Sequence, residues 1–303
     1  MEYDQLEEFN RGFSDRFTEV NIDKQLNIFI KAKLLFYDGV EYRFSYPYIK
    51  YFFVGKYLAD NIDRPDISTE INRYCNNLHT SEDSTTILFL THHRNSEWVI
   101  REISRKLSTC YEDYDLVRYE DDHSPYLASM VGSVSEIIIE ELDVKKNNEV
   151  RRSAEEARGL DSEPSDEYFQ NGNGGSSTEI QTLYTAIRSA EVLGQITKNY
   201  YGSIERSSKR ENINSIIKAF LRLLNYVFDD LSKNEKDIKN QISDNISKID
   251  KELSPSELSI LSEKIVSSLV SNLSSGIIFK IAHTIYSDKL LDDIKYLSSE
   301  SGE

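Results

Sequence analysis

The sequence predicts a mainly α-helical protein, with a small winged-helix-like unit at its N-terminus followed by a bundle or solenoid-like array of helices. Three observations support this prediction. Apolar residues recur every three or four positions along most of the 303 residues, as they do on one face of an α-helix. The 12 glycines and 5 prolines are few for a loop-rich all-β chain. An Asp38-Gly39 pair between short apolar runs predicts a β-hairpin.

Residues 1–62 form the winged-helix-like unit in this prediction. Two stretches at helical spacing precede the Asp38-Gly39 hairpin, which gives the helix, helix, hairpin order of a winged helix. The apolar residues of these two stretches are Leu6, Phe9 and Phe13, and then Leu26, Phe29, Ile30 and Leu34.

An aromatic helix over residues 46–58 closes the first unit and links it to the next. Pro47 suits the first turn of a helix, where its missing N–H costs nothing. Aromatic residues occupy more than one face of this helix, and a helix that is apolar on most sides is usually buried. We therefore expect Phe52→Ala to cost about 3–5 kcal/mol of stability, as loss of a buried aromatic side chain does.

Residues 63–144 are predicted to form a helical domain, and residues 145–178 a flexible linker. Ile67, Ile71 and Cys75 set a spacing of four, and residues 131–142 have the pattern of an amphipathic helix. The linker contains Asn-Gly-Asn-Gly-Gly-Ser-Ser and few apolar residues, a composition typical of flexible segments.

Residues 179–303 are predicted to form a C-terminal helical domain. Ser254, Pro255 and Glu257 have the spacing of a capping box with proline near the first helical position. Separate stripes predict helices joined by short polar turns, with no fixed repeat period. These apolar stripes are Ile180 to Leu193, Ile213 to Val227, Ile238 to Ile249, Leu258 to Leu269, Ile277 to Ile285 and Leu290 to Leu297.

Composition narrows the class of partner. The net charge of −16 disfavours nucleic acid and anionic membranes. No apolar run approaches the ~18 residues of a membrane span, and the acidic start MEYDQLEEF lacks the features of a signal peptide. Cys75 and Cys110 form no CxxC motif and are expected to be buried thiols. We expect a soluble cytoplasmic protein without a membrane partner.

No catalytic motif is present in the sequence. It contains no P-loop, no G-x-S-x-G and no H-E-x-x-H, so we expect no enzyme activity, no cofactor and no metal site. His93 and Glu97 lie four residues apart but lack a third ligand. The acidic residues 112–122 lack EF-hand spacing, and His283 is expected to be packed or half-buried among apolar neighbours.

One basic stretch contrasts with the net charge. It contains Lys198, Arg206, Lys209, Arg210, Lys218 and Arg222, with only two acids, Glu205 and Glu211, interspersed. These side chains could contact an anion or a nucleic acid, with Tyr200 and Tyr201 beside them able to stack on bases. Alternatively, they could be solvated or could pair with acidic residues of the same chain.

Residues 41–62, EYRFSYPYIKYFFVGKYLADNI, resemble a segment of the bacterial STAND NTPases, the NACHT-like signalling ATPases. In that family an F-x-F pair ends a winged-helix hairpin and an aromatic-rich helix follows. Phe44 and residues 48–58 match this pattern, with Gly55 at a position where alanine is usual. Residues 87–93 and 191–204 are also similar to phrases from these proteins.

The resemblance implies a role in antiviral or stress signalling, in which a sensor detects a trigger, the ATPase oligomerises and an effector responds. The family's P-loop, Mg²⁺-binding acids and sensor residues lie upstream of the winged helix, so no ATP-site residue carries over to this chain. By resemblance it is the C-terminal regulatory or sensor region, with an ATPase core, an effector or a phage-derived trigger as protein partner, and it oligomerises only through that partner. The alternatives are a free-standing scaffold or adaptor for a separately encoded ATPase or effector, a nucleic-acid binder, and a metal-dependent enzyme.

Overall fold

The computed structural model describes residues 1–117, 176–249 and 253–300, and these residues are mainly helical. They form ten α-helices, one 3-10 turn and one two-stranded sheet near the N-terminus, which confirms the predicted fold class. The predicted helix over 131–142 and residues 145–175 of the predicted linker lie outside the described residues. The chain divides into two compact units, one of Met1–Asn77 with Ser81–Glu97 and the other of Leu78–Thr80 with Trp98–Glu303.

The first unit contains five helices and the hairpin. Its helices and strands are α1 (Tyr3–Arg16), α2 (Ile22–Lys31), β1 (Leu35–Tyr37), β2 (Tyr42–Phe44), α3 (Pro47–Asp60), α4 (Pro65–Asn76) and α5 (Ser81–His93). Pro47 begins α3 as expected, and α4 buries the predicted spacing-of-four residues Ile67, Ile71 and Cys75. The predicted boundary at residue 62 falls inside this unit.

The hairpin forms at the predicted Asp38-Gly39 turn. Strands β1 and β2 are antiparallel, with Leu35 opposite Phe44. Gly39 has a φ of +99°, a conformation that glycine adopts at little cost. One carboxylate oxygen of Asp38 accepts hydrogen bonds from the backbone N–H groups of Val40 (3.0 Å) and Glu41 (2.9 Å). These bonds lower the pKa of Asp38 and fix the loop.

Helices α3 and α5 cross closely in the first unit, and Gly55 makes the approach feasible. A Cβ atom added at Gly55 would lie 2.7 Å from the backbone nitrogen of Leu90 and 2.8 Å from the Cβ of Phe89. Leu58 and Ala59 are buried on the same helix, and Ile87 and Leu90 are fully buried on α5. The core of this unit therefore lies between α3, α4 and α5.

The second unit is built on long helices. They are α6 (Glu97–Thr109), α7 (Ser176–Asn199), α8 (Arg206–Ile249), α9 (Pro255–Ile285) and α10 (Leu291–Glu300), with a 3-10 turn at Asp288–Leu290 before α10. Leu224, Phe228 and Leu231 of α8 form a core cluster with Val266 and Val270 of α9.

Two pairs of predicted helices are continuous in the structure. The stripes at Ile213–Val227 and Ile238–Ile249 both belong to α8, and those at Leu258–Leu269 and Ile277–Ile285 both belong to α9. The prediction of separate helices was wrong in α8 because residues 232–237 are polar but contain no glycine or proline to end a helix. The capping box that starts α9 is confirmed, since Ser254 and Glu257 bond reciprocally to each other's backbone N–H.

Candidate functional site

Three residues of the predicted basic stretch meet at one buried carboxylate. Arg206, Lys209 and Arg210 lie in the first turns of α8, and all three approach Asp293 at the start of α10. The nearest nitrogen–oxygen distances to Asp293 are 4.0 Å for Arg206, 3.8 Å for Lys209 and 2.9 Å for Arg210. Because the Asp293 side chain is only 8% exposed and that of Arg210 24%, the contact between these two is weakly screened by solvent.

Aromatic rings complete this cluster. The guanidinium of Arg210 lies 3.5 Å from the centroid of the Tyr296 ring, and the Lys289 ammonium lies 4.3 Å from that of Tyr201. The Lys209 ammonium also donates a 2.9 Å hydrogen bond to the backbone carbonyl of Tyr201. The cluster therefore joins the α7–α8 turn, the start of α8 and the C-terminal helix.

The other three basic residues lie elsewhere. Lys198 donates to the backbone carbonyl of His283 near the end of α9 (3.2 Å), and burial lowers the pKa of this lysine. Arg222 donates to the backbone carbonyl of Ser108 (3.1 Å). Lys218 is exposed and forms no ion pair within the described parts of the chain.

The geometry favours intramolecular pairing for most of the basic stretch. It brings Arg206, Lys209 and Arg210 together but separates them from Lys198 and Arg222. The acidic partner is Asp293, which sequence reasoning missed because it lies 83 residues from Arg210. Contact with an external anion stays a prediction, and such an anion would compete with the Asp293 carboxylate.

Helix α1 presents an aromatic stripe that sequence analysis did not single out as a surface. Phe9, Phe13 and Phe17 follow one another at a spacing of four, with ring centroids 6.4 Å and 5.0 Å apart. Phe9 is 72% exposed, and α1 buries none of residues 3–16. The helix is held instead by polar contacts, such as the 2.9 Å hydrogen bond from the Tyr3 hydroxyl to Asp23.

The expectation that the aromatic residues of α3 are buried was wrong. Phe52 is 37% exposed, although its ring packs edge-on against Phe89 and His93 at centroid distances of 5.7 Å and 4.9 Å. Four other aromatic residues in and before the helix are exposed to a greater extent: Tyr46, Tyr48, Phe53 and Tyr57. The buried face of α3 consists of Ile49, Gly55, Leu58 and Ala59. We use the term aromatic residues of the first unit for the exposed rings named above, which are Phe9, Phe13, Phe17, Tyr46, Tyr48, Phe52, Phe53 and Tyr57.

Histidines and acids do not assemble a metal centre in the described residues, where no group of three or more suitable ligands occurs. His92 and His93 end α5, and burial lowers the pKa of His92. His283 is exposed, so the expectation of a packed or half-buried histidine was wrong.

Helix α9 has a high average hydropathy, which the sequence analysis did not predict. Among the described residues it is the one helix whose length and composition would suffice to cross a membrane, with a mean hydropathy of 1.5 over an 18-residue window. Only 11% of that window is buried. Scattered serines interrupt the apolar residues of this helix, so no continuous apolar run reaches the length of a membrane span although the average hydropathy of the window is high.

The N-terminal part of the chain matches a known family model. Residues 1–54, which cover α1, α2, the hairpin and the first half of α3, match the family model described as novel STAND NTPase 4. The match supports a relationship to the STAND NTPases and to signalling or defence proteins of that kind. No curated protein and no solved structure matches the chain.

Proposed function

We propose that this chain is a non-catalytic regulatory or sensor module of a STAND-type NTPase signalling system, acting in anti-phage defence through protein–protein contacts. The observation that carries the proposal is the overlap of the exposed aromatic residues with the region that matches the family model. Most of the aromatic residues of the first unit lie within residues 1–54, the region that matches the STAND NTPase family model.

Exposed aromatic residues in this number are characteristic of a contact surface. Single exposed apolar side chains are ordinary on soluble proteins, but groups of them usually mark binding sites. Aromatic residues are also enriched at protein–protein interfaces, where they contribute much of the binding energy. A helix such as α1, which buries none of its own residues, gains stability when a partner covers its apolar stripe.

The proposed partner is a P-loop ATPase core, and the first unit would be its winged-helix domain. That core lies either in the same polypeptide or on a separately encoded protein, in which case the chain is a scaffold or adaptor. The second unit would hold the contacts for the trigger or effector. In either arrangement the chain supplies contacts, and nucleotide chemistry belongs to the partner.

Site-specific photo-crosslinking tests the proposal. A photoreactive phenylalanine analogue at Phe9 is compared with the same analogue at Glu8, a neighbouring exposed position that points about 100° away on the helix. A C-terminal tag, introduced at the native locus, allows purification and a measurement of size. We expect the Phe9 probe to link to a protein segment with a P-loop, and the Glu8 probe to give several-fold less of that product.

The size of the tagged product separates the two arrangements. A band near 35.1 kDa with an added crosslinked partner indicates a separately encoded ATPase, and a larger uncrosslinked band indicates one polypeptide. Equal products from both positions, or products without any P-loop protein, would contradict the proposal.

A further inference from the structure

Helix α9 has an apolar ridge that the described residues of the second unit leave partly exposed. Ser262, Val266 and Val270 face the core, whereas another set of residues on the helix is exposed. At 100° per residue, this set falls within about 80° of the helix circumference. Its apolar members are Leu261, Ile265, Leu269 and Phe279, with Asn272 and Gly276 between them and His283 one turn after Phe279.

Gly276 is a second and independent feature of the same ridge. Glycine within a helix costs about 1 kcal/mol relative to alanine, and it is usually retained for close packing. Gly55 and Gly194 have such a reason, because a Cβ at either position would collide with a neighbouring helix. A Cβ at Gly276 would meet no atom within 4 Å among the described residues, so packing among these residues does not require the glycine.

We propose that this ridge binds the α9 helix of a second copy of the chain, antiparallel to it, about a two-fold axis at Asn272. In this arrangement, residues of the two copies face each other when one lies as many positions before Asn272 as the other lies after it. Ile265 then faces Phe279, and Ser268 faces Gly276. The large side chains meet towards the ends, and the small ones near the centre let the helices approach closely.

Asn272 suits a position on the axis. A carboxamide both donates and accepts hydrogen bonds, so it can pair with an identical group across a two-fold axis. A single asparagine among apolar contacts also fixes the register of paired helices. Asn272 is exposed, and its amide nitrogen donates a long, 3.4 Å hydrogen bond to the Ser268 hydroxyl, so its carboxamide oxygen and second N–H can pair with the same group of a second copy.

Charge and polarity favour a second copy over a lipid bilayer. Residues 265–279 contain no charged side chain, so two copies can meet here despite a net charge of −16 each. The same residues include five serines and one asparagine, which are costly to place in hydrocarbon but suit a helix interface with close contacts. Acidic proteins are also repelled by anionic membrane surfaces.

The size of the ridge predicts a weak, reversible dimer. Leu258 to His283 spans roughly 39 Å of helix, and a strip about 10 Å wide gives on the order of 400 Å² per copy. Specific stable interfaces bury about 800 Å² per partner, so we expect a dissociation constant in the micromolar range. This departs from the expectation that the chain oligomerises only through another protein.

Sedimentation equilibrium of the 303-residue chain, from about 1 to 200 μM, tests the proposal with two neighbouring substitutions. Phe279→Glu lies on the ridge, and Ile278→Glu is the matched control at a position that is 60% exposed but points about 100° away. We expect wild type and Ile278→Glu to shift towards twice 35.1 kDa with concentration, and Phe279→Glu to remain monomeric. A monomeric wild type throughout, or equal effects of the two substitutions, would overturn the proposal.

A cysteine on the proposed axis tests the geometry. Asn272→Cys should give a disulfide-linked dimer on mild oxidation, and Ile278→Cys should give at least tenfold less, with the native Cys75 and Cys110 both buried.

Flotation with anionic and neutral phospholipid vesicles tests whether a lipid bilayer, rather than a second copy of the chain, covers the ridge. Binding of wild type to vesicles that is lost in Phe279→Glu, without dimer in solution, would show that lipid covers the ridge and would refute the proposal.

Discussion

Replacing Gly55 with alanine should destabilise the first unit, although alanine is the better helix former. The new Cβ would lie 2.7 Å from the Leu90 backbone nitrogen, 2.8 Å from the Phe89 Cβ and 3.0 Å from the Phe89 carbonyl carbon. Two of these are backbone atoms of α5, and the third is fixed to that backbone. Relief therefore requires α3 and α5 to separate by several tenths of an ångström.

Two opposing effects set the magnitude. Gly→Ala within a helix gains about 1 kcal/mol. Forcing extra volume into a packed contact costs about 1–3 kcal/mol. Gly12 in α1 provides the matched control, because a Cβ there would meet nothing within 4 Å among the described residues. Gly12→Ala should therefore show the gain alone, and we expect Gly55→Ala to be about 2 kcal/mol less stable than Gly12→Ala.

Urea unfolding followed by far-ultraviolet circular dichroism measures the two free energies of unfolding. Amide hydrogen exchange locates the effect: peptides from α3 and α5 should exchange faster in Gly55→Ala, and those from α7 to α9 should not change. If Gly55→Ala proved as stable as Gly12→Ala, the close crossing of α3 and α5 would be refuted. The alanine that is usual at this position in the similar segment of the STAND NTPases would then be tolerated in this chain as well.

Three further predictions concern the second unit and the cysteines. Gly194→Ala should loosen α7 and α9, because its Cβ would lie 2.5 Å from the Thr284 carbonyl oxygen, and faster exchange confined to these helices would verify this. Asp293→Asn should weaken the attachment of α10 by about 2 kcal/mol, since it removes the negative charge that accepts the Arg210 hydrogen bond and pairs with Arg206 and Lys209, and amide exchange of α10 unchanged from wild type would contradict it. Burial raises the pKa of Cys110 to about 11, and Cys75 is buried as well, so at pH 8 a thiol reagent should react slowly with the native chain and rapidly with two thiols after denaturation.

The local elements of the fold could be predicted because their causes lie within a few residues. Pro47 at a helix start, the Asp38-Gly39 turn and the Ser254 capping box each depend on neighbours in sequence, and each is found where it was expected. Helix continuity was harder, since a polar stretch without glycine or proline can remain helical. Residues 232–237 of α8 are such a stretch.

The candidate site was predicted only in part because its partner is distant in sequence. The spacing of Arg206, Lys209 and Arg210 places them in adjacent turns of one helix, which a sequence can indicate. Nothing in that spacing identifies Asp293 as their shared acceptor, because the contact depends on how α10 packs beside α8. A basic stretch in a sequence therefore gives the donors of a cluster without its acceptor.

Helix α3 shows why the buried face of an aromatic-rich helix is difficult to infer from the sequence. Periodicity identifies the buried face of a helix only when another face is polar, and α3 has aromatic residues on several sides. The smallest residues, Gly55 and Ala59, are both buried, and most of the large rings point outward. Close packing of Gly55 against Phe89 and Leu90 leaves no room for a Cβ, so in this helix the small residues, together with the aliphatic Ile49 and Leu58, identify the core side. The close contact at Gly55 and several of the exposed rings of the proposed binding surface therefore occur on the same helix.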